Sequence, residues 1–359
     1  MTRRHLLVMA AGTGGHVIPG LAVAREMQAR GWSVSWLGTP RGMENTLVPP
    51  SGIALDTLGF SGMRGKGLAH AVTGLARLIV ALGQCAAVIR RRRPSVVLGM
   101  GGYVCLPGGL MAALLRRPLM LVNADASLLL SNKVLLALAD RIAFGFDGPD
   151  ARSTRRAVVT GNPVRQEIES LAPPQQRFAH RSGPLRVLVV GGSLGARALN
   201  ECVPLALALM DSAVRPEVTH QTGQAHIAAV RSAYDQAQVR ADVLPFIDDM
   251  AGRLRECDVI VCRAGAVTVS ELCAAGVAAV LVPLVVSTTQ HQRDNALWLA
   301  ERGAGIHLPQ LELSPRRLAD VLSTLTRERL LALAVQARAL AQPRSAARVA
   351  DQIEGLVGT

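Results

Sequence analysis

The residues best placed to do chemistry lie in three glycine-bearing stretches. "MAAGTGGHVIPGLAVA", residues 9–24, sets four glycines, His16 and Pro19 between an apolar run and a helical pattern. "VVGGSLGARALN", residues 189–200, repeats that plan in the second half. A loop entering a helix exposes unpaired N–H groups and the positive end of the helix dipole. Glycine removes the Cβ that would hold a phosphate away. A tight strand-to-helix turn has the same composition, so one such match says little. Two, one per half, point to a ligand held at the carboxyl ends of strands between two domains. The third stretch, "CRAGAVTVSELCAAGVAAVLVPL", places Ser270 and Glu271 early in a helix. A carboxylate there can accept bonds from two ribose hydroxyls, or it can serve the helix start itself. A nicotinamide or flavin site would want an acid about 20 residues beyond the first loop. The second strand ends instead in "WLGTPRG", with no acid. Asp248 and Asp249 read as a helix start and not as a metal-binding pair, so neither metal nor cofactor is expected.

These loops need strands behind them. "HLLVMA", "SVSWLG", "RPSVVLGMGG", "PLMLVN", "DRIAFGF" and "RAVVTGNPV" are short apolar runs separated by helical patterns. "LRVLVV", "EVTHQTG", "ADVLPFIDDM", "CDVIVCRAG", "AAVLVPL" and "AGIHLP" form a second series after "SLAPPQQRFAHRSGP". The alternation predicts the α/β class, with two Rossmann-like, doubly wound domains joined near "TGNPVRQEI". Gly12-Thr13-Gly14-Gly15 and Gly192-Ser193-Leu194-Gly195 align in register. The expected boundaries are 1–162, 163–340, and a C-terminal helix over 341–359. A helix from Pro19 to about Gly31 follows the first loop.

Composition limits the partners. The chain of 359 residues carries 39 basic and 26 acidic side chains, a formal charge of +13, and its only lysines are Lys66 and Lys133. Such a charge favours anionic partners, unless the arginines form a solvated surface. Aromatic residues are too few for base stacking, so nucleic acid is not expected. Cys85, Cys105, Cys202, Cys257, Cys262 and Cys273 form no CxxC pair and read as reduced core thiols. "HLLVMAAGTGG" is too soon broken by glycine for a signal peptide, and no run suits a transmembrane helix. The expected place is the cytosol, or a membrane reached from its cytosolic side.

"AGTGGHVIPGLAVA", "GMGGYVCLPGGL", "TGNPVR", "VVGGSLGARALN" and "AGAVTVSE", in that order between about residues 5 and 340, resemble the MurG family. Its members add N-acetylglucosamine to the undecaprenyl-pyrophosphoryl-muramyl-pentapeptide lipid in peptidoglycan synthesis, and so serve cell shape and division. The resemblance implies a GT-B architecture with a cleft between the domains. It implies UDP-N-acetylglucosamine on the C-terminal domain and the lipid acceptor on the N-terminal one. It implies a peripheral enzyme on the cytoplasmic side of the bacterial inner membrane. Carried over by motif, Ser193 and its loop amides bind the diphosphate, and Arg165 adds positive charge. Ile247 meets uracil through its backbone. Ala266, Val267, Thr268, Val269, Ser270 and Glu271 cradle the nucleoside, with Glu271 on the ribose. Gln292 reaches the donor sugar, and Asn295 is a further substrate-binding residue. Thr13, Gly14, Gly15 and His16 face the reacting sugars, and Tyr103 and Asp125 are substrate-binding residues. His16 is the expected general base for an inverting transfer.

The sequence departs from the family at two places. Where the family carries "HEQN", this chain has Val122, Asn123, Ala124 and Asp125; Asn132 and Lys133 remain as expected. Val285 and Val286 replace polar residues upstream of His291, Gln292 and Asn295. Ala11 replaces the first glycine of the opening loop, a mild change if its φ is negative. These changes raise two alternatives: a GT-B transferase with another acceptor, or an impaired UDP-sugar-binding paralogue. Finally, "GLARLIVALGQCAAVIRRRRP" ends an apolar helix in Arg90–Arg93. It reads as a face for anionic lipid, or as a core helix whose arginines complement the helix dipole.

Overall fold

The computed structural model describes residues 4–12, 14–59, 68–192, 194–284 and 290–358. The chain divides into two compact units, one of Met1–Pro163 with Arg344–Thr359, the other of Val164–Pro343.

In the first unit, β1 (His5–Ala10), β2 (Ser33–Gly38), β3 (Ala54–Thr57), β4 (Val96–Gly101), β5 (Leu119–Asn123), β6 (Arg141–Phe144) and β7 (Ala157–Val159) form a parallel sheet. Its order is β3-β2-β1-β4-β5-β6-β7. The central strands are continuous apolar runs because both faces are covered. Leu7, Met9, Val97 and Leu121 share one core with Cys85 and Ile89 of the helix Leu68–Arg92. Leu6, Val8, Trp36 and Leu98 share the other with Val17 and Met27 of the helix Gly14–Ala29. Gly20 lies where a Cβ would strike the Trp36 ring, so one glycine of the opening motif serves packing. The C-terminal helix Ser345–Glu354 adds Val349 and Ile353 to this second core. Arg30 ties it down with ion pairs to Asp351 (2.7 Å) and Glu354 (2.8 Å).

In the second unit, β8 (Arg186–Val190), β9 (Glu217–Gln221), β10 (Asp242–Leu244), β11 (Val259–Cys262), β12 (Ala278–Leu281) and β13 (Ile306–His307) run parallel in the order β10-β9-β8-β11-β12-β13. The order reverses between β8 and β11 here, and between β1 and β4 in the first unit. Such a switch point opens a crevice at the carboxyl ends of the strands.

"SLAPPQQRFAHRSGP" lies inside the second unit, and its Phe178 is part of the core. One expectation needs correction: several arginines are structural, and do not belong to a solvated or partner-facing surface. Arg177 donates to the carbonyls of Leu254, Ala275 and Gly276. Arg181 donates to Cys257 and Arg255 carbonyls and pairs with the buried Asp258. Arg327 reaches the other Asp258 oxygen. Part of the positive charge is thus used within the fold, at helix ends and beneath β8. All six cysteines are free and buried.

Candidate functional site

The first unit gathers its candidate residues at the ends of β1, β4 and β5, three neighbouring strands. The helix after β1 starts at Gly14, five residues before the expected Pro19, so His16 stands in its first turn. Gly101 (φ 124°) ends β4 and Gly102 (φ 90°) follows it. A Cβ on Gly101 would strike the His16 ring, and one on Gly102 would strike the Ala11 carbonyl. "GMGGY" therefore needs its glycines to admit the histidine and the end of β1. Ala11 is not among the residues with positive φ, and its amide donates to the Gly101 carbonyl at 3.3 Å. Tyr103, 44% exposed, follows this turn. Thr13 lies outside the described residues.

The segment after β5 is built by asparagines. Asn123, fully buried, donates to the carbonyls of Asp125 (2.8 Å) and Ser127 (3.1 Å). Its oxygen accepts from the Leu129 amide and from Asn132. Asn162, of "TGNPVR", donates to the Ala124 carbonyl at 2.8 Å. Val122 belongs to the strand core. Asp125 is partly exposed on the resulting loop.

One charged group escaped the sequence reading. Glu44, 0% exposed, opens the short helix Glu44–Leu47. Its Oε2 accepts from the Gly12 amide at 2.9 Å, and its Oε1 from the Thr39 amide and hydroxyl, each at 2.7 Å. Burial raises its carboxyl pKa, but these bonds outweigh burial and hold it below the usual range. A glutamate among "GTPRGMEN" gave no signal, since only the fold brings it to Gly12.

In the second unit the candidates lie beyond β8, β10, β11 and β12. Gly195 (φ 78°) sits where a Cβ would strike the Thr222 carbonyl. Ser193, Val285 and Val286 lie outside the described residues. Ile247 follows β10 with its side chain buried, which leaves its backbone for contact. Ala266–Glu271 open the helix Ala266–Ala275 after β11. Ala266, Val267, Thr268 and Ser270 are partly exposed, while the Val269 side chain is buried. Glu271 lies past the first turn and is no helix cap. Arg165 forks onto it, Nε to Oε1 at 2.8 Å and Nη2 to Oε2 at 3.1 Å. The expected diphosphate arginine and the expected ribose carboxylate are therefore partners. Gln292 accepts from the Leu284 amide at 2.9 Å. Asn295, 0% exposed, donates to the Ala264 carbonyl at 3.0 Å and holds the turn before the cradle. Asp249 caps the helix Met250–Glu256 by accepting from Gly252.

The Gly192–Gly195 turn has its own support. Asn200 donates to the Thr222 carbonyl at 3.0 Å. Its oxygen faces His220 Nε2 at 3.1 Å, and His220 Nδ1 faces the Tyr234 hydroxyl at 2.9 Å. The amide orientation assigns the proton to Nε2. Burial lowers the His220 pKa to about 4, so the ring is neutral at pH 7. A cavity of about 660 Å³, lined by Arg186, Glu217, Asp242 and Arg253 among others, lies at the opposite ends of β8, β9 and β10 from this unit's candidate residues.

Comparisons with known proteins fit this geometry. Residues 6–144 match the glycosyltransferase family 28 N-terminal domain, and residues 186–353 its C-terminal domain. The chain is 67% identical, over 99% of both chains, to a protein of Methylibium petroleiphilum named UDP-N-acetylglucosamine–N-acetylmuramyl-(pentapeptide) pyrophosphoryl-undecaprenol N-acetylglucosamine transferase. It is 62% identical, over the full length of both, to the protein of the same name from Chromobacterium violaceum. The crystal structure of Acinetobacter baumannii MurG matches with a TM-score of 0.85 and 38% identity, over 98% of this chain and 99% of that one. The two parallel-sheet α/β units are those of the GT-B fold. On this full-length likeness, and on glycine turns at both switch points, the chain belongs to the MurG family of glycosyltransferase family 28.

Proposed function

We propose that the protein moves N-acetylglucosamine from UDP-N-acetylglucosamine to the muramyl C4 hydroxyl of undecaprenyl-pyrophosphoryl-muramyl-pentapeptide, with His16 as general base and inversion at the anomeric carbon. The observation that carries this reading is the full-length identity to transferases of that name. The acceptor oxygen forms its bond to C1 as the bond from C1 to the diphosphate oxygen breaks. The hydroxyl proton passes to the His16 imidazole, and UDP leaves with the bonding electron pair. Charge develops on the diphosphate, where the N-terminus of the helix Arg197–Ala208 and Arg165 can stabilise it. Glu271 takes the ribose hydroxyls. Ile247 and Ala266–Ser270 hold the nucleoside, and Gln292 meets the sugar. Gly14 and Gly15 let the acceptor approach, beside Tyr103 and Asp125.

The departure at Val122–Asp125 does not favour the alternatives. Val122 is in the core, and Asn123 is committed to the loop backbone. The test is UDP release by purified protein, with and without a short-chain lipid acceptor. Acceptor-dependent release, with kcat about 100- to 10,000-fold lower in His16→Ala and donor affinity unchanged, is the expected result. Donor binding without release would overturn it.

The same reading has the enzyme peripheral on the cytoplasmic face of the inner membrane. No described helix is long and apolar enough to cross a membrane. Ile79 and Val80, Leu114, and Leu130, Val134 and Leu138 are exposed on or beside the helices Leu68–Arg92, Cys105–Leu114 and Leu130–Leu135. The first helix packs on the second, and the second on the third. Arg77, Arg116 and Lys133 are exposed on or beside these helices. An apolar face rimmed by basic groups suits an anionic bilayer. Arg91 and Arg92 both pair with Asp56, which removes them from the lipid-facing set. Liposome binding should weaken with Ile79→Glu or Val134→Glu and remain in Arg91→Glu. The reverse pattern would move the contact to the arginine cluster.

A further inference from the structure

We infer that Glu44 is a positioning residue for the acceptor-side turn. Its buried carboxylate, with the Met43 amide, locks the peptide at Gly12 and so sets where Gly14, Gly15 and His16 stand. The inference rests on the proposed role of that turn in the transfer.

Gly12 adopts φ 95°, and a Cβ there would meet nothing within 4 Å. The glycine is required by its dihedral angle and not by lack of space. Glycine also has the widest choice of conformations, so something must fix it. The segment Met43–Glu44 does so from both sides. Met43 donates its amide to the Gly12 carbonyl at 3.2 Å, while Gly12 donates its own amide to Glu44 Oε2 at 2.9 Å. The other carboxylate oxygen is anchored to Thr39 through two bonds of 2.7 Å. Gly38 and Gly42 are both placed where a Cβ would strike the Glu44 side chain. Two glycines thus make room for one carboxylate, and that carboxylate spends one oxygen on the opening loop. Two residues beyond Gly12 the helix begins, and His16 is held by its fit against Gly101. A shift at Gly12 would carry through this short lever to the imidazole. A misplacement of about 1 Å at a reacting group costs about 100-fold in rate.

Glu44→Gln tests this with little change in shape. Its two oxygens now accept three bonds, including amide donors on both sides. A glutamine has one oxygen and one NH₂, so either Gly12 or the Thr39 amide must face a donor. The wild-type protein is assayed first; without acceptor-dependent UDP release the functional reading itself fails, whatever Glu44 does. With an active wild type, the variant is measured below its melting temperature for kcat, KM of the acceptor, and UDP affinity. UDP affinity shows that the second unit is intact, and hydrogen-exchange protection of β1 and β4 serves as the folding control for the first. The expected result is a kcat about 10- to 100-fold lower with UDP affinity unchanged. Wild-type kcat in the folded variant would overturn the inference. Should Glu44→Gln fail to fold, Gly42→Ala replaces it, since the added methyl displaces the carboxylate while keeping its charge. The same loss of kcat supports the inference, and full kcat overturns it.

Discussion

After β1 the chain enters its helix at Gly14, two residues past a glycine at φ 95°. After β8 it passes a glycine at φ 94° and takes five residues to reach the helix at Arg197. The two loops therefore align at their first glycine and then diverge, and the expected register over four residues does not persist. The short turn brings a side chain, His16, to the crevice. The long one adds a second left-handed glycine, Gly195, and brings backbone. Their supports differ in the same sense. Under the first lies a buried carboxylate, Glu44. Under the second lies a neutral chain of Asn200, His220 and Tyr234. A buried anion weakens an adjacent helix N-terminus as a seat for a second anion, because charges interact strongly where water is scarce. A neutral support leaves that seat intact. This contrast favours the second unit for the diphosphate and the first for proton transfer.

The comparison can be broken most severely by one methyl group in each turn. Gly195→Ala sets a Cβ against the Thr222 carbonyl and forces alanine to φ 78°. Roughly 3 kcal/mol of strain should weaken UDP binding about 100-fold in calorimetry. Gly101→Ala sets a Cβ against the His16 ring instead. It should lower kcat about 100-fold while UDP affinity stays unchanged. If both variants lost donor affinity alike, the division of labour between the turns would be wrong.

A smaller effect sharpens the role of Arg165. Its side chain is 42% exposed, whereas that of Glu271 is 13% exposed. If Arg165 acts by orienting Glu271, then Arg165→Ala should cost about 10-fold in UDP affinity, and little more once Glu271→Gln is present. If Arg165 acts on the diphosphate by itself, the two losses add. The double-mutant cycle distinguishes these, and salt should shrink only the second kind of contribution.

Much of this was legible in the sequence. Short apolar runs mark β1, β4, β5, β8, β11 and β12, because strands buried on both faces must be apolar throughout. The candidate residues fall at the carboxyl ends of those strands, where motif and topology agree. The start of the first helix was misread because Pro19 looks like a first-turn residue, whereas it lies inside the helix. Glu44, the fit of His16 on Gly101, and the chain from Tyr234 to Thr222 were not legible. Each joins residues from separate strands or loops, and no spacing rule reports such contacts. The arginines misled for a related reason: Arg177 and Arg181 serve carbonyls 74 to 99 positions away, at helix ends.

The mildest test uses acid. His220 is neutral in the folded unit with a pKa of about 4, against an ordinary value of 6.5. Between those values the unfolded chain binds the extra proton, so stability is full above pH 6.5 and falls as pH drops toward 4. The loss by pH 4 should be on the order of 3 kcal/mol, confined to the second unit. Glu44 behaves differently: its lowered pKa contributes stability above the ordinary glutamate range, lost only as pH falls through the lowered value. Acid should therefore loosen the backbone-presenting turn before the side-chain-presenting one. Hydrogen exchange followed from pH 7 to 4 should show protection lost first around Thr222 and Gly223, with Gly12 still protected. His220→Phe, which cannot take up a proton, should flatten the first transition and leave any later one in place. Loss of protection at Gly12 first would mean that the carboxylate is the weaker support, and the contrast between the two turns would have to be drawn the other way.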